Sequence, residues 1–262
     1  VSLALVRDLF AGPRMARIMS FIMVVFSIVP AIGPTVGHYI ILGFGWRAIF
    51  VAFMLFSVAV LIWLLVRQPE TLRPENRRPL SFAAIGNAIR QVAAHHTARL
   101  SIIVQTLTLG MLFTVLSSTQ QVFDISFAQG AHFHLWFAGI AIVAASGSAL
   151  NARLVVRVGM RAIIRAAFIG QIAISLLTLA VVYMGGPYWL ALGSYLVWVT
   201  SCFFQTGLTM GNLTALAMEE MGHIAGLAAS VISAVSTIGA VAIAAPIALM
   251  FDGTPVPMIV GS

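Results

Sequence analysis

Side chains able to carry a proton or grip a polar solute are scarce in this chain, and most lie inside long apolar runs. One run, residues 99–122, holds Gln105, Thr106, Thr108, Thr114, Ser117, Ser118, Thr119, Gln120 and Gln121, and Asp124 follows just beyond. Another, residues 188–211, holds Trp198, Thr200, Ser201, Cys202, Gln205, Thr206 and Thr209. A glutamine turned toward lipid is unfavourable, so Gln105, Gln120 and Gln205 are expected to face protein or water. Each can do so by bonding to a neighbouring helix or by lining a polar cavity. Gln120 and Asp124 stand four apart, so on a continuing helix they share one face. With Gln121 they form a polar cluster at the end of the run, where Asp124 could load and release protons. The plainer alternative is a solvated aspartate at the membrane edge. Trp198 has the surface to stack an aromatic or lipophilic solute, or simply to pack.

Other chemistries find little footing. His132 and His134 lie two apart without carboxylate or cysteine ligands beside them, so no metal site is expected. There is no glycine-rich phosphate loop and no serine in a nucleophile-elbow pattern. The chain reads as a non-enzyme with no cofactor.

The elements that position these residues follow from composition. With 61% hydrophobic and 8% charged residues, the chain is far more apolar than a soluble core of this size requires. Seven complete spans are expected, at about 18–42, 46–66, 99–122, 134–151, 163–184, 188–211 and 224–250. The fold class is therefore all-α and polytopic. Val1–Val6 reads as the tail of an earlier helix and Pro255–Ser262 as the start of a later one, as in a segment of a longer chain.

The formal charge of +7 would suggest nucleic acid in a soluble protein. Here the arginines are spread over short loops between apolar spans, which fits lipid headgroups better. Of 14 basic residues only Arg47 falls on one side if every span crosses, and the arginine-rich side is cytoplasmic by the positive-inside rule. Cys202 is the single cysteine, which excludes a disulfide framework.

The longest connection separates residues 1–66 from residues 99–262. Within this 67–98 linker, Ser81 reads as a helix N-cap. Phe82, Ile85, Ile89 and Val92 then recur at near-helical spacing, as in a short amphipathic helix on the membrane surface. Near the end of the chain Gly226, Ser230, Ser233 and Thr237 make a small-residue stripe suited to close helix packing.

The first span is the most distinctive. Ile18–Leu42 is about 25 residues, enough to cross about 30 Å of hydrocarbon as a helix. It nonetheless contains Pro30, Gly33, Pro34 and Gly37. Gly33 and Gly37 form a small-xxx-small pair at which another backbone can approach.

Gly33-Pro34 followed by Gly37 resembles the antiporter motif on the fifth helix of drug/proton antiporters in the major facilitator superfamily. The stretch from Val6 to Pro13, with Arg7 and Asp8, resembles the cytoplasmic turn after the fourth helix in the bicyclomycin-resistance/chloramphenicol-efflux (Bcr/CflA) branch. Asn151–Arg165 resembles the second copy of the superfamily's loop motif, matching it at Arg157, Gly159 and Arg161, with Val156 in the acidic position. His38 stands where the family usually has glycine.

The resemblance implies a major facilitator bundle running from the end of helix four to the start of helix twelve. Residues 1–66 would close the first six-helix half and residues 99–262 would form most of the second. In that frame the spans holding Gln105 and Gln205 are helices seven and ten, which line the cavity. The function implied is proton-coupled efflux of drugs or other small lipophilic compounds by a monomeric transporter in a bacterial inner membrane. Its partners would be a small-molecule substrate, protons and lipid, with no nucleic acid. A solute importer or symporter of the same fold is the nearest alternative, and a seven-helix receptor or sensor the next.

Overall fold

The computed structural model describes residue 29 and residues 32–67, 82–219 and 225–262. Among these the regular structure is helical, with no strand. Two compact units divide at Leu80 and Ser81.

In the first unit α1 (Ile32–Phe44) and α2 (Arg47–Arg67) are joined by a tight turn. Gly45 takes φ 78° and donates its N–H to the Ile41 carbonyl at 2.9 Å, the left-handed helix end that glycine adopts without strain. Arg47 then lies over the Trp46 ring, 4.8 Å from its centre. No residue of α2 is buried, although the helix is apolar on every side. Such a helix suits a surrounding of lipid or other helices rather than water.

The second unit starts with α3 (Phe82–Ala94), within the expected linker. Of its four apolar positions Ile89 is exposed, while Val92 is buried among Ala98, Ala217, Ala228 and Ile232. The helix is thus docked by Val92 onto the ends of its neighbours. Next come α4 (His96–Gln121), prolonged by a π-turn at Val122–Ser126, and a 3-10 turn at Gly130–His132. The remaining helices are α5 (Phe133–Val158), α6 (Met160–Tyr183), α7 (Tyr188–Met218), α8 (Ala225–Leu249) and α9 (Val256–Gly261).

At the centre stands α7, packed on α4, α5 and α6, while α8 lies along α4. The largest sealed side chains are Trp198, Tyr195 and Phe123, which anchor one apolar core from α4 across to α7. Small residues set the helix spacing. A Cβ on Gly147 of α5 would come within 2.6 Å of the Phe204 carbonyl oxygen, so α5 and α7 touch backbone to backbone there. Gly207 faces Ser148 at the same crossing, and Gly239 of α8 sits against Thr106 of α4.

The small-residue stripe expected on α8 is displaced. Ser230, Ser233 and Thr237 are exposed, and the packed face carries Ala228, Ile232, Ser236, Ala240 and Ala244 instead. Both faces of this alanine-rich helix are small, and the one next to α4 is the one that packs.

Five of the described helices are long and apolar enough to cross a membrane: α2, α4, α5, α6 and residues 227–249 of α8. One of the seven expected spans is not tested, and another falls short of the rest. Most of residues 18–42 lie outside the described residues, and α7 is long enough but lacks an 18-residue stretch as apolar as those of the five. Three neighbours cover α7, so it can carry Gln205, Asn212 and a series of hydroxyls without presenting them to lipid.

Candidate functional site

The two central glutamines are buried well inside their helices. Gln105 is 4% exposed and lies nine residues into α4, about 14 Å from its start at 1.5 Å per residue. Gln205 is 2% exposed and lies thirteen residues before the end of α7, about 20 Å along. Among the described residues the Gln105 Oε1 and both amide atoms of Gln205 have no hydrogen-bond partner, and neither does the Ser236 Oγ of α8.

The threonines beside them behave differently. Thr108, Thr114 and Thr209 each donate to the carbonyl one turn back on their own helix, at 2.9 Å. A hydroxyl on a short stem can satisfy itself in this way, and an amide on a longer stem needs a partner from elsewhere. The buried glutamines, with the Ser236 and Tyr195 hydroxyls, are therefore the polar groups here with bonding capacity to offer.

Trp198 is a packing residue in this arrangement. It is fully buried, stacks on Tyr195 and donates its indole N–H to the Ser175 Oγ on α6 at 2.9 Å. Two interhelix bonds were not foreseen from the sequence. Gln171 Nε2 donates to the Cys202 Sγ at 3.1 Å, tying α6 to α7. Asn212 Nδ2 donates to the Asn151 Oδ1 at 2.7 Å, tying α7 to α5. Their only sequence signal is an amide inside an apolar run, which does not reveal a partner.

The polar cluster expected at the end of α4 is not assembled as expected. Gln120, Gln121 and Asp124 are all exposed, and no hydrogen bond joins Asp124 to either glutamine. The α-helix gives way at Val122 to the π-turn, whose wider spacing cancels the four-residue alignment of Gln120 with Asp124. Asp124 packs instead against Gly130, where a Cβ would collide with its Oδ1.

A different network occupies this end. Trp136 donates to the Gln129 Oε1 at 3.3 Å, the Gln129 amide donates to the Tyr188 hydroxyl at 3.2 Å, and that hydroxyl donates to the Phe127 carbonyl at 2.7 Å. Beside it a cleft of about 730 Å³ opens between α5 and α7, lined by Gln129, His132, Trp136, Ile140, Leu196 and Thr200 among others. It offers an aromatic face, an amide and an imidazole around an apolar floor. That combination suits a small, mostly apolar molecule with a few hydrogen-bonding groups.

At the opposite ends of α5 and α6, Gly159 is the single residue between the two helices. Its φ of 83° with ψ of 155° belongs to a region essentially reserved for glycine. Arg157 and Arg161 flank it and are exposed. In the first unit Gly33, Pro34 and Gly37 all lie within α1, and nothing among the described residues comes within 4 Å of a Cβ on either glycine. Pro30, Arg7 and Asp8 lie outside the described residues.

The sequence of residues 1–244 matches the profile of the Major Facilitator Superfamily. The chain belongs to that superfamily. As a member it is a multi-pass helical membrane protein of a transporter family rather than an enzyme, and this accounts for the apolar spans and the polar centre together. An uncharacterized MFS-type transporter of Bacillus subtilis, YdgK, is 27% identical over 98% of this chain. A bicyclomycin resistance protein homolog of Haemophilus influenzae is 28% identical over 98% of the chain. The multidrug resistance protein MdtL of Escherichia coli is 34% identical over 32% of it. The second of these names agrees with the Bcr/CflA resemblance of the turn at Arg7 and Asp8. The chain spans 64% of the length of the first two relatives.

Proposed function

We propose that this superfamily member exports small lipophilic compounds in exchange for protons, by alternating access across a bacterial inner membrane. The observation that carries this reading is similarity over nearly the whole chain to a relative named for bicyclomycin resistance, supported by the shorter match to a multidrug resistance protein. In such transporters two bundles rock around a site near the bilayer midplane. Gln105 and Gln205 are buried well inside their helices with amide atoms that lack a hydrogen-bond partner, and they serve as substrate contacts from this half. The cleft between α5 and α7 is the outer approach, and Asp124 carries the exchanged proton.

The remaining residues act through shape. Gly33, Pro34 and Gly37 keep α1 able to flex and to accept a neighbour at close range. Arg7 and Asp8, with Arg157, Gly159 and Arg161, belong to the cytoplasmic loop motifs of such transporters. Trp198 holds α7 against α6. The transporter acts as a monomer with substrate, protons and lipid as its partners.

The test is transport in everted membrane vesicles carrying the protein, with a fluorescent lipophilic cation as substrate. Uptake into vesicles driven by an imposed pH gradient is expected, with loss in Gln205→Leu and loss of proton coupling in Asp124→Asn. Transport that ignores the pH gradient, or that runs only toward the cytoplasm, overturns the reading in favour of a solute importer.

A further inference from the structure

α5 and α6 meet at Gly159 and both pack on α7, yet they touch each other little. Between them a groove of about 350 Å³ opens, walled by Leu154 and Val158 of α5 and Ala162, Ala166 and Gly170 of α6, with Leu208 of α7 at its floor. It extends along α6 from Ala162 to Ile174. Twelve residues of helix rise about 18 Å, close to the about 15 Å that one leaflet contributes to a 30 Å hydrocarbon core.

The polar side chains that line the groove are hydrogen-bonded or buried. The Ser201 hydroxyl donates to the Trp198 carbonyl at 2.7 Å, the Gln171 amide donates to the Cys202 Sγ, and the Gln205 amide is sealed in protein. The wall that remains is hydrocarbon, which suits an acyl chain better than a polar solute.

Charge marks the mouth. Arg153, Arg157, Arg161 and Arg165 are all exposed on the ends of α5 and α6 that meet at Gly159, and no acidic residue occurs between Asp124 and Glu219. Guanidinium groups bind phosphate through paired hydrogen bonds, and basic pockets between helices on the cytoplasmic side attract anionic headgroups. We infer that the groove seats one acyl chain of an anionic phospholipid of the cytoplasmic leaflet, with its phosphate held by the arginines around Gly159. The leaflet follows from the distribution of arginines, and at its floor the groove reaches Gln205, which the proposed transport route also uses.

Native mass spectrometry of the purified protein, titrated with dioleoyl phosphatidylglycerol or dioleoyl phosphatidylcholine, tests this. Phosphatidylglycerol is expected to be retained preferentially, with affinity falling about fivefold for each arginine removed in Arg157→Gln and Arg161→Gln. Ala166→Trp fills the groove from an exposed position without changing charge, and a similar loss is expected. Ala162→Trp repeats that test at a second exposed position should the first variant fold poorly. Arg90→Gln on α3 leaves retention unchanged. Equal retention of the two lipids overturns the inference. Wild-type retention in the tryptophan variants also overturns it, because arginines that gather headgroups without a groove need no seat.

Discussion

Asn151 of α5 and Asn212 of α7 face each other with their amides in reciprocal contact, 2.7 Å in one direction and 3.5 Å in the other. Asn212 also donates to the Leu208 carbonyl of its own helix at 2.9 Å. The pair closes one end of the α5–α7 crossing whose middle is the contact of Gly147 with Phe204. A double-mutant cycle with Asn151→Ala and Asn212→Ala is expected to give a coupling of about 0.6 kcal/mol and at most about 1.7, the range for hydrogen bonds between membrane helices. Unfolding of the purified protein in mixed micelles measures it, and additive single effects would mean that the two amides act separately.

The same crossing predicts a contrast between two glycines of one helix. Gly147→Ala places a Cβ against a backbone carbonyl that cannot swing aside, and overpacking of this kind costs about 1–3 kcal/mol. Gly139→Ala on the same helix meets nothing within 4 Å and gains helix propensity, so it should be neutral or slightly stabilising. Thermal unfolding of both variants decides this, and equal behaviour would remove the backbone contact from the account.

Why the spans were legible and these contacts were not follows from the range of each signal. A membrane helix announces itself within twenty residues through its own apolar run, which is why α2, α4, α5, α6 and α8 were expected where they occur. The Asn151–Asn212 pair bridges sixty-one positions of chain, and neither residue's neighbours encode the other. On α8, glycine, serine and alanine recur on two faces, and only the position of α4 selects the one that packs against it, which is not the face of Ser230, Ser233 and Thr237. The alignment of Gln120 with Asp124 assumed a helix that continues, and no local pattern marked the π-turn. Gly159 was legible as part of a motif, and the structure supplies its reason in the backbone angles of a one-residue turn.

Trp198 offers a test of packing against substrate contact. Trp198→Phe keeps most of the apolar surface and removes the bond to Ser175, so a loss of about 0.5–1.5 kcal/mol is expected. The relative export of different lipophilic substrates should be unchanged. A shift in that ranking at unaltered stability would make the indole a substrate contact instead.

Between α8 and α9, the Asp252 carboxylate accepts from the Thr254 hydroxyl at 2.7 Å and from its backbone N–H at 2.9 Å. These bonds, the side-chain one foremost, hold its pKa below the ordinary aspartate value. A carboxyl depressed on folding stabilises the turn above its unfolded pKa of about 3.9, and the contribution disappears as the pH falls through the lower folded value. Thr254→Val should move the Asp252 titration upward toward the ordinary value, and a carboxyl-carbon NMR titration from about pH 2 to 6 would follow it. An unshifted titration in the variant would assign the effect to the backbone N–H alone.

The covering of α7 by three neighbours has a consequence for how the protein is made. A ribosome delivers helices to the bilayer one after another, and α7 emerges after α4, α5 and α6. Its amides and hydroxyls weaken its own partition into lipid, so its integration depends on helices already waiting there to receive them. Fused alone to a glycosylation reporter, α7 should integrate less completely than when α4–α6 precede it. The order of the chain thus supplies the central helix with its surroundings before it arrives.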